Sequence, residues 1–244
     1  MKNTISPSLL LLADRVSKIP FAKAILKPFY YPYKRYVNQK RNEQFHKMGL
    51  QVIKEFHQCF EENNLFYTLA FGSMLGAVRE KGFIKHDLDL DVFVWADEDR
   101  SKIHKCLVEA GFKLEHSFTV DGGKLAREDT YVKYDVSIDI FYVYPPIDKY
   151  TTICDYKPFK GAVSWDDSEK NFGGLIARRF DIPVAKERIK TKFEDTELYV
   201  PVNYDEFLRM RYGDTYMIPD PTWSNGDNPH LVVWSEKVAH YEHF

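Results

Sequence analysis

The chain has 244 residues, enough for one sizeable domain or a domain with an appended piece, and its formal charge of −2 gives no bulk field of the kind that gathers nucleic acid. It has no apolar run near the roughly 20 residues that a membrane-spanning helix needs, and Leu9–Ala13 is too short and lacks the cleavage features of a secretory signal. The charge is uneven: residues 1–42 carry nine Lys/Arg and one Asp, so the remainder is acidic.

Residues 1–42 therefore read as a basic N-terminal arm, and 43–244 as a single domain with its core at 64–145 and an extension at 146–244. Ile5–Val37 mixes apolar clusters with Lys18, Lys23, Lys27, Lys34 and Arg35. Such a segment can lie on an anionic membrane surface through residues 1–36, and a loosely packed arm has the same composition. Pro20, Pro28 and Pro32 are expected to break any long helix here. Phe45, Met48, Val52, Phe56, Cys59 and Phe60 then recur at helical spacing, which predicts an amphipathic helix over Phe45–Asn63.

Leu65–Phe71 reads as a strand. Gly72 permits a tight turn, Ser73 is a good N-cap, and Met74–Glu80 continue as a short helix. Unpaired N–H groups at a helix start attract phosphate oxygens. A Gly-Ser pair before a helix is by itself an ordinary cap; its weight comes from lying seventeen positions before Asp89. Arg79 and Lys81 are candidate phosphate contacts or plain surface charge.

In Asp87–Val94, Leu88, Leu90, Val92 and Val94 point to one face of a strand, and Asp87, Asp89 and Asp91 to the other. Asp is disfavoured in strands. Neighbours on one face lie roughly 6.5–7 Å apart and at an effective dielectric of about 20 repel by roughly 2–2.5 kcal/mol. A divalent cation removes that penalty, and oxygen ligands suit Mg²⁺ or Mn²⁺. A calcium loop is the competing pattern, with Glu98 at its twelfth position. Its sixth position, where a sharp turn needs Gly, is Val92. A solvated strand edge is the bland reading, and the uniformly apolar opposite face speaks against it.

Asp97-Glu98-Asp99 opens a helix through Leu107 that stops at Gly111. Phe112–Thr119, Asp121-Gly122-Gly123 and Lys124–Lys133 form a hairpin pattern whose second arm offers Lys124 and Arg127 to a phosphate. Val136–Phe141 is a further buried strand carrying Asp139, with Asp135 on the same face as an alternative ligand. Pro145–Pro183 is less regular and includes Arg178-Arg179. Asn203–Arg211 reads as a helix ending at Gly213, and Trp223–His230 as a loop. Cys59 and Cys106 read as core. Three cysteines without close spacing suggest a reducing, cytoplasmic setting. The eight histidines show no metal-ligand spacing, and His86 beside the carboxylates reads as a packing residue or one that supports the carboxylates from behind, not as a base.

Gly72-Ser73-Met74-Leu75-Gly76-Ala77-Val78-Arg79, Gly82-Phe83-Ile84, Asp87-Leu88-Asp89-Leu90-Asp91 and the Asp139-Ile140-Phe141 element together resemble the LicD/fukutin family. The late segment from Tyr199-Val200-Pro201 to Tyr212-Gly213-Asp214 fits the same resemblance, which covers about residues 45–230. Leu88 departs from it, standing where bacterial members usually carry another Asp. The resemblance implies an α/β (α+β) nucleotidyltransferase-like fold, a mixed sheet covered by helices on one face with a helical or irregular C-terminal extension. It implies transfer of phosphocholine, ribitol phosphate or a similar group from a CDP-linked donor to a hydroxyl of a cell-surface glycan or lipid-linked oligosaccharide, releasing CMP at the inner face of the cell membrane. Asp89, Asp91 and Asp139 would be catalytic and, with Asp87, would ligate Mg²⁺ or Mn²⁺. Gly72, Ser73, Arg79, Lys81 and Arg127 would bind donor phosphate. The same metal site also suits a nucleotidyltransferase that attacks the α-phosphate of an NTP and releases pyrophosphate. A scaffold that keeps the fold without catalysis is the non-enzymatic alternative.

Overall fold

The computed structural model describes residues 20–147, 150–220, 223 and 228–244. Residues 1–19, and so most of the segment read as a membrane-surface arm, lie outside the described residues, as does part of the Trp223–His230 loop.

A long helix α1 (Pro20–Glu62) leads into β1 (Thr68–Leu69), α2 (Phe71–Arg79), β2 (Asp89–Trp95) and α3 (Arg100–Glu109). Next come a hairpin of β3 (Lys113–Val120) and β4 (Ala126–Lys133), then β5 (Val136–Ile147), β6 (Tyr150–Pro158), α4 (Trp165–Phe172) and β7 (Leu175–Asp181). The chain ends with β8 (Arg188–Phe193), β9 (Thr196–Pro201), α5 (Tyr204–Tyr212) and β10 (Leu231–His243). Eight strands form one mixed sheet in the order β1-β2-β5-β4-β3-β10-β7-β6, and the far half of β5 also pairs with β6. Strands β8 and β9 form a separate hairpin. This is the α+β architecture expected.

The sheet has an apolar back. Leu90, Val92, Val94, Ile138 and Ile140 are fully buried on one side of the parallel pair β2·β5. Helices α1 and α3 cover that side. Phe45, Val52, Ile53, Phe56 and Phe60 of α1 are buried at helical spacing, as their periodicity predicts. The α3 start also agrees with its sequence: Asp99 caps it by accepting from the Lys102 N–H at 3.1 Å, and Gly111 takes the left-handed conformation beyond its end (φ +85°).

Several expectations are corrected. Pro20 does start the helix, but Pro28 and Pro32 do not break it. A proline removes one backbone bond and leaves its neighbours, and the helix is anchored further along by the residues buried from Phe45 to Phe60. No boundary falls at residue 42, because α1 runs through it. Arg41 and Asn42, assigned to the arm, reach the domain: the Asn42 amide donates to the carbonyls of Lys85 and Asp87 at 3.0 and 2.9 Å. The extension beyond Pro145 is not irregular, since it supplies β6, β7 and β10, and β10 inserts between β3 and β7. Helices also lie on the front of the sheet. Phe93 and Phe141 continue the acidic face as apolar surface, and Phe71 of α2 and Phe207 of α5 pack on them at 4.9–5.3 Å between ring centroids. Finally, Cys59 of α1 and Cys106 of α3 are bonded as a disulfide across 47 residues, with Cα atoms 6.1 Å apart. That pairing removes the support that cysteine usage lent to a reducing compartment. Cys154 is free and buried.

Candidate active site

The carboxylates gather where β2 begins. The strand starts at Asp89, so Asp87 and Leu88 belong to the preceding loop and not to the strand as expected. Parallel pairing sets Asp89 against Ser137 and Asp91 directly against Asp139. The hairpin of β4 and β5 then sets Thr130 against Asp139, and the Thr130 hydroxyl donates to Asp139 Oδ1 at 2.7 Å. Asp139, not Asp135, is therefore the partner that the sheet delivers; Asp135 sits in the turn with φ +60°.

Like charges packed together and partly buried hold their protons. Burial first and the Asp89 charge second push Asp87 up to about 7. Burial and Asp89 do the same to Asp139. Asp91 is raised well above the usual carboxylate range by burial and by Asp89, Asp139 and Asp87, and the Gly72 N–H directed at it only partly offsets this. Asp89 is raised by burial, with Arg41 acting the other way.

Four carboxylates in mutual repulsion form an oxygen-only donor set suited to Mg²⁺ or Mn²⁺. Gly72 leaves room beside them: a Cβ there would stand 3.5 Å from Asp91 Oδ2 and 3.8 Å from Asp87 Oδ1. As the side chains are placed, no three His, Cys, Asp or Glu groups close round a single point among the described residues. The backbone register brings the ligands together, and the side chains would have to turn to enclose an ion.

The expected phosphate contacts divide. Helix α2 begins at Phe71, capped by Ala70, so Gly72 and Ser73 lie inside it. Ser73 is buried, and its hydroxyl accepts the Asp91 N–H at 2.9 Å. It ties α2 to the acidic strand and does not cap the helix. Arg79 lines a cavity with Gly72 and Asp87 and donates to the Tyr216 carbonyl at 3.2 Å. Lys81 instead lies exposed in the turn two residues past the end of α2 and donates to the Val78 carbonyl at 3.0 Å. Arg127 is on the back of the sheet. Its neighbour Glu128 and then Thr130 share the front with Asp139, so the odd residues Arg127 and Asp129 must face away. There Arg127 binds Asp129 at 2.8 Å beside Ser117. His86 borders the cavity with Arg79 and Asp87 and is exposed, so it does not pack in the core.

Two cavities flank the cluster. One, of about 650 Å³, is bordered by Asp89, Asp139, Glu128 and Asp155, with Phe118, Tyr156 and Trp165 as its aromatic wall. Phe118 and Tyr156 stack at 4.7 Å, and Trp165 meets Phe118 edge-on at 5.0 Å. The other, of about 500 Å³, lies against Gly72 and Asp87 and is bordered by Arg79, Tyr212, Tyr216 and Trp223. Glu128, Asp155 and Arg211 are not legible as site residues in the sequence. Glu128 is buried at the cavity's wall and pushed well up by burial and by Asp139, Asp155 and Asp91. Asp155 is held by Arg178 through two bonds of 2.7 and 2.8 Å. A signal for Glu128 existed: Tyr134-Asp135 is a two-residue turn with positive φ at both positions, which fixes the register of β4 on β5.

Residues 64–203 match the family described as LicD/FKTN/FKRP, nucleotidyltransferase domain. The mouse ribitol-5-phosphate transferase FKTN is 25% identical over 191 residues, 76% of this chain and 36% of FKTN. Human FKTN is 23% identical over 210 residues, 81% of this chain and 41% of its own length. The Haemophilus influenzae lipopolysaccharide cholinephosphotransferase LicD is 41% identical over 49 residues, 20% of this chain and 18% of LicD. The chain thus spans well under half the length of these relatives. The family match covers more than half of the chain and contains all four clustered aspartates, and this protein belongs to the LicD/FKTN/FKRP nucleotidyltransferase-domain family.

Proposed function

We propose that this chain is a phosphotransferase that moves a phospho-alcohol, such as phosphocholine or ribitol phosphate, from a CDP-linked donor to a hydroxyl of a glycan and releases CMP. The observation that carries this is the pairing of Asp91 with Asp139 across β2 and β5, at the start of α2 and between two unlike cavities. The names of the relatives, a ribitol-5-phosphate transferase and a cholinephosphotransferase, support the transferred class.

Asp89, Asp91 and Asp139, with Asp87 assisting, would hold Mg²⁺ or Mn²⁺. That ion would supply charge neutralisation for the attacking and leaving oxygens of an in-line displacement at phosphorus. The cavity against Gly72 suits the cytidine diphosphate portion, because Tyr212 and Trp223 offer faces for a base and Arg79 a cation for phosphate. The carboxylate-lined cavity repels a nucleotide. It suits a neutral polyhydroxyl acceptor, whose hydroxyls donate to carboxylates and whose ring lies on Trp165. The acceptor oxygen bonds to the donor's β-phosphorus as the bond to the CMP oxygen breaks, and Asp139, fixed by Thr130, takes the acceptor proton.

Incubation of the protein and Mg²⁺ with CTP, CDP-choline or CDP-ribitol tests the reading. CMP release from one of the CDP-alcohols, slow to water and faster with a glycan extract, is the expected result. Pyrophosphate release from CTP would establish the nucleotidyltransferase alternative instead.

A further inference from the structure

Arg211 is the next-to-last residue of α5 and is 6% exposed. Among the described residues its Nε and Nη1 have no hydrogen-bond partner, although both are sealed from solvent. Its guanidinium carbon lies 5.5 Å from the Phe71 ring centroid, 4.7 Å from Phe180, 5.2 Å from Tyr212 and 4.8 Å from Trp223. Aromatic faces hold a cation in place. They do not satisfy its N–H groups, and a buried guanidinium with idle donors is costly. Its nearest opposite charges are Asp155 and Asp91. Asp155 is already gripped by Arg178, and Asp91 turns its oxygens toward Gly72.

The position is as telling as the unused donors. Arg211 touches Phe71, the residue that opens α2 beside the carboxylates. It also touches Tyr212 and Trp223, which border the cavity assigned to the nucleotide, and it feels Asp155, which borders the other. It lines neither cavity itself: it lies behind Phe71, Tyr212 and Trp223, with Asp155 and Asp91 as its acidic neighbours, one layer beneath the place where a phosphoryl group held by the carboxylate cluster would sit.

We propose that Arg211 binds the β-phosphoryl group of the nucleotide diphosphate donor, completing from the protein side the positive cradle whose other half is the carboxylate-held metal. This rests on the chain using a CDP-linked donor. On donor binding the Tyr212 and Trp223 rings part to uncover the idle Nε–H and Nη1–H, which take the non-bridging phosphoryl oxygens; between turnovers the same rings cover the guanidinium and keep it from collapsing onto Asp91. Arg79, which borders the nucleotide cavity and pairs through Nε with Glu80, is left for the α-phosphate.

The test is calorimetric titration of the full chain, in excess MgCl₂, with CDP and with CMP. In the R211M variant, affinity for CDP is expected to fall by about 10- to 100-fold, the range of a lost charge-assisted contact. Affinity for CMP, which lacks the β-phosphoryl, is expected to stay within about 3-fold. The R211K variant keeps a point charge without the planar fork and is expected to fall between the two; it also serves if R211M does not fold. Unchanged CDP affinity in a folded variant would overturn the assignment. An equal loss for CDP and CMP would overturn it too, since that marks a packing role against Trp223 and Tyr212. A wild-type chain that binds neither nucleotide would instead refute the CDP-donor reading and this inference with it.

Discussion

Asp91→Asn isolates the central physical claim, that this strand stores repulsion which only a cation releases. Asp139 stands opposite Asp91 on the neighbouring strand and Asp89 two residues along its own. At roughly 5 and 6.5–7 Å and a dielectric of about 20, the two charges repel Asp91 by about 3 and 2.5 kcal/mol. The chain escapes part of this by retaining protons, so about half, roughly 2–3 kcal/mol, remains near neutral pH. For a chain of this size each kcal/mol shifts the melting temperature by about 2–4 °C. Asn keeps the shape of Asp and an oxygen for the Gly72 N–H. In EDTA the variant should therefore melt roughly 5–10 °C above the wild type, measured by differential scanning fluorimetry. Excess MgCl₂ should raise the wild-type melting temperature and leave that of the variant in place, and turnover should be lost. A variant that melts below the wild type in EDTA, or that gains as much from MgCl₂, would refute the reasoning.

The same groups set a pH dependence. Asp87 titrates near 7 in the fold against 3.8 in the unfolded chain, so the folded state binds more protons between these values and stability falls as pH rises through that window. His57 and His116, lowered by burial, act in the opposite sense, so the informative quantity is the difference between two proteins. In EDTA, the decline of melting temperature from about pH 5 to about pH 7.5 should be steeper in the wild type than in D91N; parallel profiles would show that the carboxylates are not coupled. For the cysteines, thiol titration in denaturant without reductant should find Cys154 alone, and dithiothreitol should lower the melting temperature. Closing a 47-residue loop is worth about 4 kcal/mol in the chain-entropy account. Three titratable thiols before reduction would contradict the pairing of Cys59 with Cys106.

What could be read from the sequence was whatever a local rule governs. Alternation along Asp89-Leu90-Asp91-Val92 revealed one acidic and one apolar face, because side-chain direction in a strand is a property of the strand alone. Capping at Asp99 and the stop at Gly111 were legible for the same reason, being set within a few residues. The sequence also held Asp139 as a mid-strand oddity, but not its position opposite Asp91, which is a matter of pairing between strands 48 residues apart. Arg127 shows the cost of missing a register: one residue of slip along β4 exchanges Glu128 at the site for an arginine on the back of the sheet. Ser73 looked like a cap because the helix start shifted by three residues once Phe71 was drawn down onto Phe93 and Phe141. The strands of the extension carried too little alternation to announce themselves; they form because the curling sheet offers unpaired edges that β6, β7 and β10 satisfy. Arg211 lay furthest from view. On a helix it is one more basic residue, and only the packing of four aromatic rings around it, two of them, Phe71 and Phe180, drawn from distant parts of the chain, turns it into a buried cation near the acidic cluster.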